Sequence, residues 1–137
     1  VTGRLEAATG TIDAPIGRDP FRATRMALVQ DGRAARTHYR RLAEWEDCTY
    51  AEISLETGRT HQIRVHFSSI GHALVGDSMY GRGAAVSGDP GRVWLHATRL
   101  RFPLPGGGEH EVSADLPTDL VESLSVLGEP ETGSVSI

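Results

Sequence analysis

The chain has 137 residues, of which 39% are apolar and 23% are charged, and its formal net charge is −4. This length fits one domain or part of one, and the composition excludes a disordered chain and a membrane-length apolar run. A lone cysteine, Cys48, excludes an internal disulfide and fits a reducing cytoplasm. The sequence begins at Val1 without a basic leader and an apolar core, so we expect no signal peptide and a cytoplasmic protein.

The charges are unevenly distributed along the chain. Residues 1–101 contain all 14 basic residues against 11 acidic ones, a local balance of +3, whereas residues 102–137 contain 7 acidic residues and no basic one. Every basic residue is arginine, whose planar fork suits phosphate or carboxylate. The negative net charge therefore does not exclude a nucleic-acid partner. A lysine-poor coding bias is the alternative explanation of this composition.

Strand patterns dominate the first part of the chain. Residues 9–17 predict a short extended segment that breaks at a Pro-Gly turn. Residues 23–30 predict a strand, Asp31-Gly32 a hairpin turn, and residues 33–45 a strand that pairs back on the first. Residues 49–55 alternate as a half-buried strand does. We therefore expect a three-stranded meander.

The pattern then changes to a helical one. Ile63, Phe67 and Ile70 are spaced i, i+4 and i+7, which predicts a helix of about three turns. Thr60 is expected to cap its amino end, and Gly71 is expected to terminate it.

The remaining chain predicts a long loop, a hairpin and a second helix. Residues 77–90 are rich in Gly and Ser, residues 93–102 predict a strand, and the turn at 106–108 leads to another strand at 109–114. Pro117 is expected to open a helix that Gly128 ends. We expect residues 1–128 to be the folded part and residues 129–137 a flexible tail.

The densest chemical pattern lies in residues 55–66, where a strand runs through a glycine turn into a helix. Backbone N–H groups and the positive end of a helix dipole then point at one place, which favours an anion site beside Arg59. Arg64 lies in the apolar span of that helix, and burying it is costly without an anionic partner. We expect it to meet a carboxylate inside the fold; a solvated arginine on a surface helix is the alternative.

A metal site and the common catalytic motifs find no support. His61 and His66 are spaced i, i+5, which is poor for one helix face, and no cysteine or carboxylate completes a set with His72. Gly81-Arg82-Gly83 lacks the strand-to-helix context of a dinucleotide-binding turn.

The motifs resemble those of one known family. Residues 55–66 read LETGRTHQIRVH, followed by GH at 71–72 and GDSMYG at 76–81, and this run closely resembles the signature of RluA-type pseudouridine synthases. Two weaker matches flank it in the family's order, APIGR at 14–18 and LHATRLRF at 95–102. The resemblance covers residues 1–127.

The resemblance implies a fold, a reaction and a substrate. The fold is α+β, a mixed, largely antiparallel sheet with flanking helices and a central cleft. The enzymes detach uracil from ribose, rotate it and rejoin it through carbon 5, without metal or cofactor, in ribosomal or transfer RNA. Their catalytic aspartate and base-stacking tyrosine belong to segments that precede the position of Val1, and no residue of this chain matches either one. The chain therefore resembles the C-terminal part of the catalytic domain.

The resemblance also implies roles for individual residues. Arg64 matches the arginine that pairs with the catalytic aspartate and holds it ionised and oriented. Leu100 matches an apolar residue that helps to wall the uracil pocket, with a plain core leucine as the alternative. Four further arginines are candidates for RNA phosphates, although a solvated charged face would also explain them: Arg18, Arg22, Arg25 and Arg59.

Three hypotheses follow. The first is an RNA-modifying enzyme represented by a fragment that lacks its catalytic aspartate and is inactive alone. The second is a catalytically inactive RNA-binding remnant of the same family. The third, an unrelated small α+β binding domain, requires the long motif match to be chance. For the first two, we expect the missing amino-terminal part of the domain, or self-association through an exposed sheet edge, to complete the fold.

Overall fold

A computed structural model describes residues 1–83 and 85–136, and the elements below lie within that part of the chain. All strand pairings in it are antiparallel, and two helices flank the sheets, which confirms the α+β class. In chain order the elements are β1 (Thr9–Asp13), β2 (Ile16–Arg18), β3 (Met26–Leu28), β4 (Arg36–Glu44), β5 (Thr49–Leu55), α1 (Gln62–Ser69), β6 (Arg99–Pro103), β7 (Glu109–Ser113), α2 (Thr118–Leu127) and β8 (Thr132–Gly133).

Strand β4 is the centre of the main sheet, whose order is β1-β4-β5. β5 pairs along one edge of β4, and β1 occupies the other edge from Arg36 to Arg40. β8 continues that second edge, with Gly133 opposite Ala43. The expected flexible tail is therefore wrong for residues 131–135, which pair with β4 through backbone hydrogen bonds and pack Val135 on the core; Ile137 lies outside the described residues.

The predicted meander is wrong at its first strand. β3 pairs with β2, not with β4, and forms a separate two-stranded sheet. The turn at Asp31-Gly32 returns the chain onto Ile16, whose backbone exchanges two 2.9 Å hydrogen bonds with Arg33. The edge of β4 that β3 would have needed is already taken by β1. The pairing of β4 with β5 agrees with the prediction.

Helix α1 begins two residues later than its expected cap. Its N-cap is His61 rather than Thr60, and no side chain caps it. Phe67 is fully buried and packs on Tyr39 of β4, with ring centroids 5.7 Å apart. Ile70, which completed the predicted helical spacing, is exposed, because α1 ends at Ser69 and Ile70 is its C-cap; the buried face of the helix also contains the polar side chains of Gln62 and His66.

Those two polar side chains anchor α1 to the sheet. The His66 Nε2–H donates to the Ala14 carbonyl at 2.9 Å, so Nδ1 is the acceptor for the Thr37 hydroxyl at 2.8 Å. The Gln62 amide donates to the Arg36 carbonyl and to Thr37, both at 3.0 Å. Each buried polar group thus has a partner, which removes the cost of burying it.

The last part of the chain follows the predictions closely. α2 begins after Pro117 and ends at Gly128, and its Leu120 and Leu124 are buried. β6 and β7 form the expected hairpin, although β6 begins at Arg99 rather than at residue 93. All ten residues of the hairpin are exposed. The two helices, of eight and ten residues, lack the length and apolarity to cross a membrane.

Candidate active site

The guanidinium of Arg64 meets a carboxylate inside the fold, as its burial predicted. Its Nε donates to Asp77 Oδ2 and its Nη2 to Asp77 Oδ1, both at 2.8 Å. The Asp77 side chain is fully buried, and that of Arg64 is 18% exposed. Bidentate pairing of this kind is the strongest and most directional form of ion pair. Within the described residues, Asp77 therefore compensates the burial of Arg64.

Asp77 also organises the turn that follows it. Its Oδ1 accepts the backbone N–H groups of Met79 and Tyr80, both at 3.1 Å. Burial alone would raise the pKa of Asp77, but these bonds and the Arg64 guanidinium outweigh burial and hold its pKa below the ordinary value. Gly76 makes the turn possible, because it has φ +75° and a Cβ there would lie 2.0 Å from the Arg92 carbonyl oxygen.

The Tyr80 ring lies against two guanidinium groups. The Cζ atoms of Arg64 and Arg25 are 4.9 Å and 5.0 Å from its centroid, within the range of cation–π attraction. Its hydroxyl oxygen accepts the Met26 N–H at 3.0 Å and lies 2.7 Å from His61 Nδ1. Because the Tyr80 oxygen already accepts this N–H, its own O–H is best directed at His61 Nδ1, which accepts the hydrogen bond. Tyr80 is buried and cannot stack on a base.

His61 holds the amino end of α1 in an unusual backbone conformation. Its φ of 55° and ψ of 23° lie in the left-handed region, and it is the one non-glycine residue of the described part with positive φ. Burial first, and the positive charge of Arg64 second, lower the pKa of His61 below its ordinary 6.5, against the opposing charge of Asp77. The neutral imidazole is thus the form that the fold favours.

This environment predicts a pH dependence of stability. A lowered pKa in the fold means that the unfolded chain binds the proton more readily, so stability falls as the pH drops below about 6.5 and on through the folded pKa. Asparagine at position 61 tolerates the left-handed backbone and places Oδ1 near the position of Nδ1. We expect urea unfolding between pH 7.5 and 5 to show a shallower loss for His61→Asn than for the parent chain. Equal slopes would contradict this expectation.

The other arginines predicted to contact RNA surround the β2–β3 hairpin. Arg18 donates from Nη1 to the Ala23 carbonyl at 3.1 Å, and Arg22 is exposed in the same loop. Arg59 turns its Nε to the Ala34 carbonyl at 2.9 Å. Arg25 has a buried Nε without an acceptor among the described residues. Within residues 1–83 and 85–136, none of these four forms a salt bridge.

The side chain of Gln62 folds back onto the turn that precedes α1. Gln62 Oε1 accepts the Arg59 N–H at 3.0 Å and the Thr57 hydroxyl at 2.8 Å. The turn is therefore closed by the protein itself. Among the described residues, no side chain caps the first turn of α1 itself, and the anion site at this helix end stays a prediction.

Leu100 lies apart from this cluster, on the exposed β6–β7 hairpin. It is 59% exposed, faces the same side of the hairpin as Phe102, and pairs with Val112. The alternative of a core leucine is wrong for the described residues, because Leu100 belongs to none of the three buried apolar clusters. An exposed apolar side chain such as Leu100 is typical of a surface that another molecule or segment covers.

Sequence reasoning missed three members of the cluster, Asp77, Tyr80 and His61. Asp77 and Tyr80 stand in the GDSMYG motif at 76–81, which carried the resemblance but no assigned role. Their proximity to Arg64 depends on how the loop after α1 folds back, which no local spacing encodes. The three histidines considered for a metal do not converge: His61 contacts Tyr80, His66 contacts Thr37, and His72 contacts the Thr2 carbonyl.

Comparison with known proteins shows which family this chain resembles. The profile of a family described as RNA pseudouridylate synthase matches residues 3–69. Ribosomal large subunit pseudouridine synthase D of Nitrosomonas europaea is 46% identical over 99% of this chain and 41% of its own length. The protein of the same name from Escherichia coli (strain K12) is 43% identical over 88% of this chain and 40% of its own length.

The chain belongs to the RluA-type pseudouridine synthase family. The predicted family is thereby confirmed. The structure of human RNA Pseudouridylate Synthase Domain Containing 1 superposes with a TM-score of 0.80 at 29% identity, over 98% of this chain and 58% of the human one. The chain spans about two fifths of the length of the two curated relatives.

Proposed function

We propose that this chain is the arginine-bearing part of an enzyme that isomerises uridine to pseudouridine in ribosomal or transfer RNA. In this proposal the catalytic aspartate comes from a preceding segment, and the chain alone is inactive. The observation that carries it is the geometry of Arg64, which uses Nε and Nη2 on Asp77 and makes no hydrogen bond from Nη1 within residues 1–83 and 85–136. That edge of the guanidinium is available to a second carboxylate.

The partners of three aspartates, Asp77, Asp13 and Asp19, support the proposal that the nucleophile comes from outside this chain. Asp77 is fully buried, its Oδ1 accepts one bond from Arg64 and two from backbone N–H groups, and its Oδ2 accepts a second bond from Arg64. Asp13 pairs with Arg36 on the exposed side of the sheet, and Asp19 accepts the N–H groups of its own loop. None of these three is placed to attack a sugar–base linkage beside Arg64.

RNA is the proposed partner of the arginines around the β2–β3 hairpin. Arg18, Arg22, Arg25 and Arg59 have no carboxylate partner in the described part of the chain, and the same holds for Arg33, Arg82 and Arg99, whereas the seven other arginines have one. Uncompensated guanidinium groups on one side of the molecule favour phosphate contacts, which would hold the opened strand while a base leaves its stack. Leu100 is proposed to wall the uracil pocket. The reaction is proposed to need no metal or cofactor and to take place in the cytoplasm.

Restoration of activity tests the proposal. The chain alone is expected to release no tritium from 5-tritiated uridine in RNA. A chimaera in which this chain replaces the matching segment of the Nitrosomonas europaea relative supplies an amino-terminal segment, and we expect it to release tritium. Release by the isolated chain would refute the external aspartate, and a folded but inactive chimaera would refute the enzymatic proposal.

An inactive RNA-binding remnant is the second candidate, favoured by the burial and hydrogen bonding of Asp77, the carboxylate that pairs with Arg64 in the described residues. It predicts that the folded chimaera binds RNA with a steep salt dependence but does not release tritium. The same assay therefore separates the two functions.

The exposed hairpin supports the proposal that a further polypeptide segment, or a second copy, covers this part of the chain. Leu100, Phe102 and Val112 share one exposed face, and a two-stranded hairpin alone is marginal in water. The edge of β5 that faces away from β4 also has no partner strand in the described residues.

We expect the isolated chain to self-associate through this face. Sedimentation equilibrium should show a dimer whose dissociation constant rises at least about tenfold in Phe102→Ser, because an apolar contact is lost. Val126→Ser on α2, which is 69% exposed, is the matched control and should leave association unchanged. A stable monomer of the parent chain would count against this expectation.

A further inference from the structure

Tyr80 connects the Arg64–Asp77 pair to two other parts of the chain. Its ring supports the Arg64 guanidinium at 4.9 Å, and the carboxylate that grips Arg64 also accepts the Tyr80 N–H. Its hydroxyl joins the left-handed residue His61, at the start of the Arg64 helix, to the backbone of Met26 in β3. Within residues 1–83 and 85–136, the hydrogen bonds and the cation–π contact of the Arg64 head group thus all involve Tyr80 or Asp77.

The contacts of Tyr80 restrict Arg64 in ways that the ion pair alone does not. A bidentate pair fixes the guanidinium in the plane of the carboxylate, but the plane can still tilt about the axis between the groups. An aromatic face beneath the guanidinium opposes that tilt. The hydroxyl bonds in turn hold the ring, because the phenol O–H donates to His61 Nδ1 and the oxygen accepts the Met26 N–H.

We propose that Tyr80 is a positioning residue that sets the orientation of Arg64, with the hydroxyl bond to His61 as the device that holds its ring. Its catalytic consequence rests on the proposed function, since Arg64 must face an incoming carboxylate for orientation to affect rate. Geometric fixation of a reacting group contributes strongly to rate, and misplacement of the order of 1 Å is costly.

The same ring extends the arrangement to the proposed RNA-contacting loop. Arg25 lies 5.0 Å from the Tyr80 centroid, and Met26, the next residue, donates to the Tyr80 hydroxyl. A phosphate bound by Arg25 would therefore lie next in sequence to Met26, whose N–H donates to the Tyr80 hydroxyl. Tyr80 is the side chain through which RNA contact at the β2–β3 hairpin reaches Arg64.

Exchange of the Arg64 Nε–H with water, measured by NMR on the 137-residue chain, tests the positioning directly. The signal is assigned by its loss in Arg64→Met. Tyr80→Phe keeps the ring and removes the hydroxyl, and we expect about tenfold faster exchange, the effect of losing one buried hydrogen bond. His61→Ala should have the same effect, whereas His61→Asn, which retains an acceptor, should exchange like the parent. Tyr50→Phe, against Trp94 on another part of the sheet, is the control.

The activity of the chimaera gives the second measurement. Tyr80→Phe and His61→Ala should lower kcat about tenfold with KM unchanged, and His61→Asn should restore it. Parent-like exchange in Tyr80→Phe, or parent-like kcat despite fast exchange, would overturn the proposal. An inactive parent chimaera would refute the proposed function and leave the exchange measurement to decide whether Tyr80 orients Arg64.

Discussion

Arg64→Met in the active chimaera is expected to lower kcat for tritium release on the order of a thousandfold, the scale of losing one preorganised charge-stabilising donor. Methionine has a similar length and an apolar stem but offers no N–H group. The incoming aspartate would then lose both the positive charge that keeps it ionised and the Nη1 donor that orients it. KM for RNA should change little, because the phosphate contacts are proposed to lie on other arginines.

Arg101→Met provides the matched control for that experiment. Arg101 also pairs with a carboxylate, Glu111, but on the exposed hairpin, where its side chain is 61% accessible. Its loss should leave kcat within about twofold, since exposed pairs are worth little. If Arg64→Met cost less than about tenfold, Arg64 would not be the partner of the catalytic carboxylate.

The same Arg64→Met change should also destabilise the isolated chain strongly. It leaves Asp77 buried without its cation, and breaking a buried pair from one side costs about 3–5 kcal/mol. Urea unfolding should therefore show a loss of that size in the free energy of unfolding. Arg101→Met should stay within about 1 kcal/mol of the parent.

A double variant distinguishes the cost of an unpaired charge from a loss of packing. Adding Asp77→Asn to Arg64→Met removes the uncompensated charge while keeping acceptors near the Met79 and Tyr80 N–H groups. We expect the double variant to be more stable than Arg64→Met alone. A further loss on adding Asp77→Asn would show that the packing of Arg64, and not its charge, stabilises this region.

The elements that sequence patterns predicted well are those determined locally. β5 has its predicted bounds, and α2 lies between the expected proline and glycine. The β6–β7 hairpin follows from three consecutive glycines. The errors concern which strands pair: β3 pairs with the preceding strand β2 and not with β4, and β8 joins β4 from 88 residues away. Local alternation does not encode which strand occupies which edge.

In the candidate site, too, local features were predictable from the sequence and contacts between separate segments were not. Burial physics alone predicted that Arg64 meets a carboxylate, and the structure supplies Asp77, 13 residues further along the chain. The family resemblance pointed to an aspartate outside the chain, and that pairing stays a prediction. The contacts of Tyr80 with Arg25, Arg64 and His61 were not predictable, because they depend on the path of the glycine-rich loop after α1.

The completion of β4 from both ends of the chain has a consequence for biosynthesis. β1 and β8 follow one another along the same edge of β4, and an ion pair joins Arg4, which precedes β1, to Glu131, which precedes β8. Residues 43 and 44 cannot gain their partners on that edge until residue 133 has left the ribosome. During synthesis this end of the sheet therefore stays open, and closing so long a loop is intrinsically slow. The nascent chain is most vulnerable to misassociation in the interval before β8 is complete.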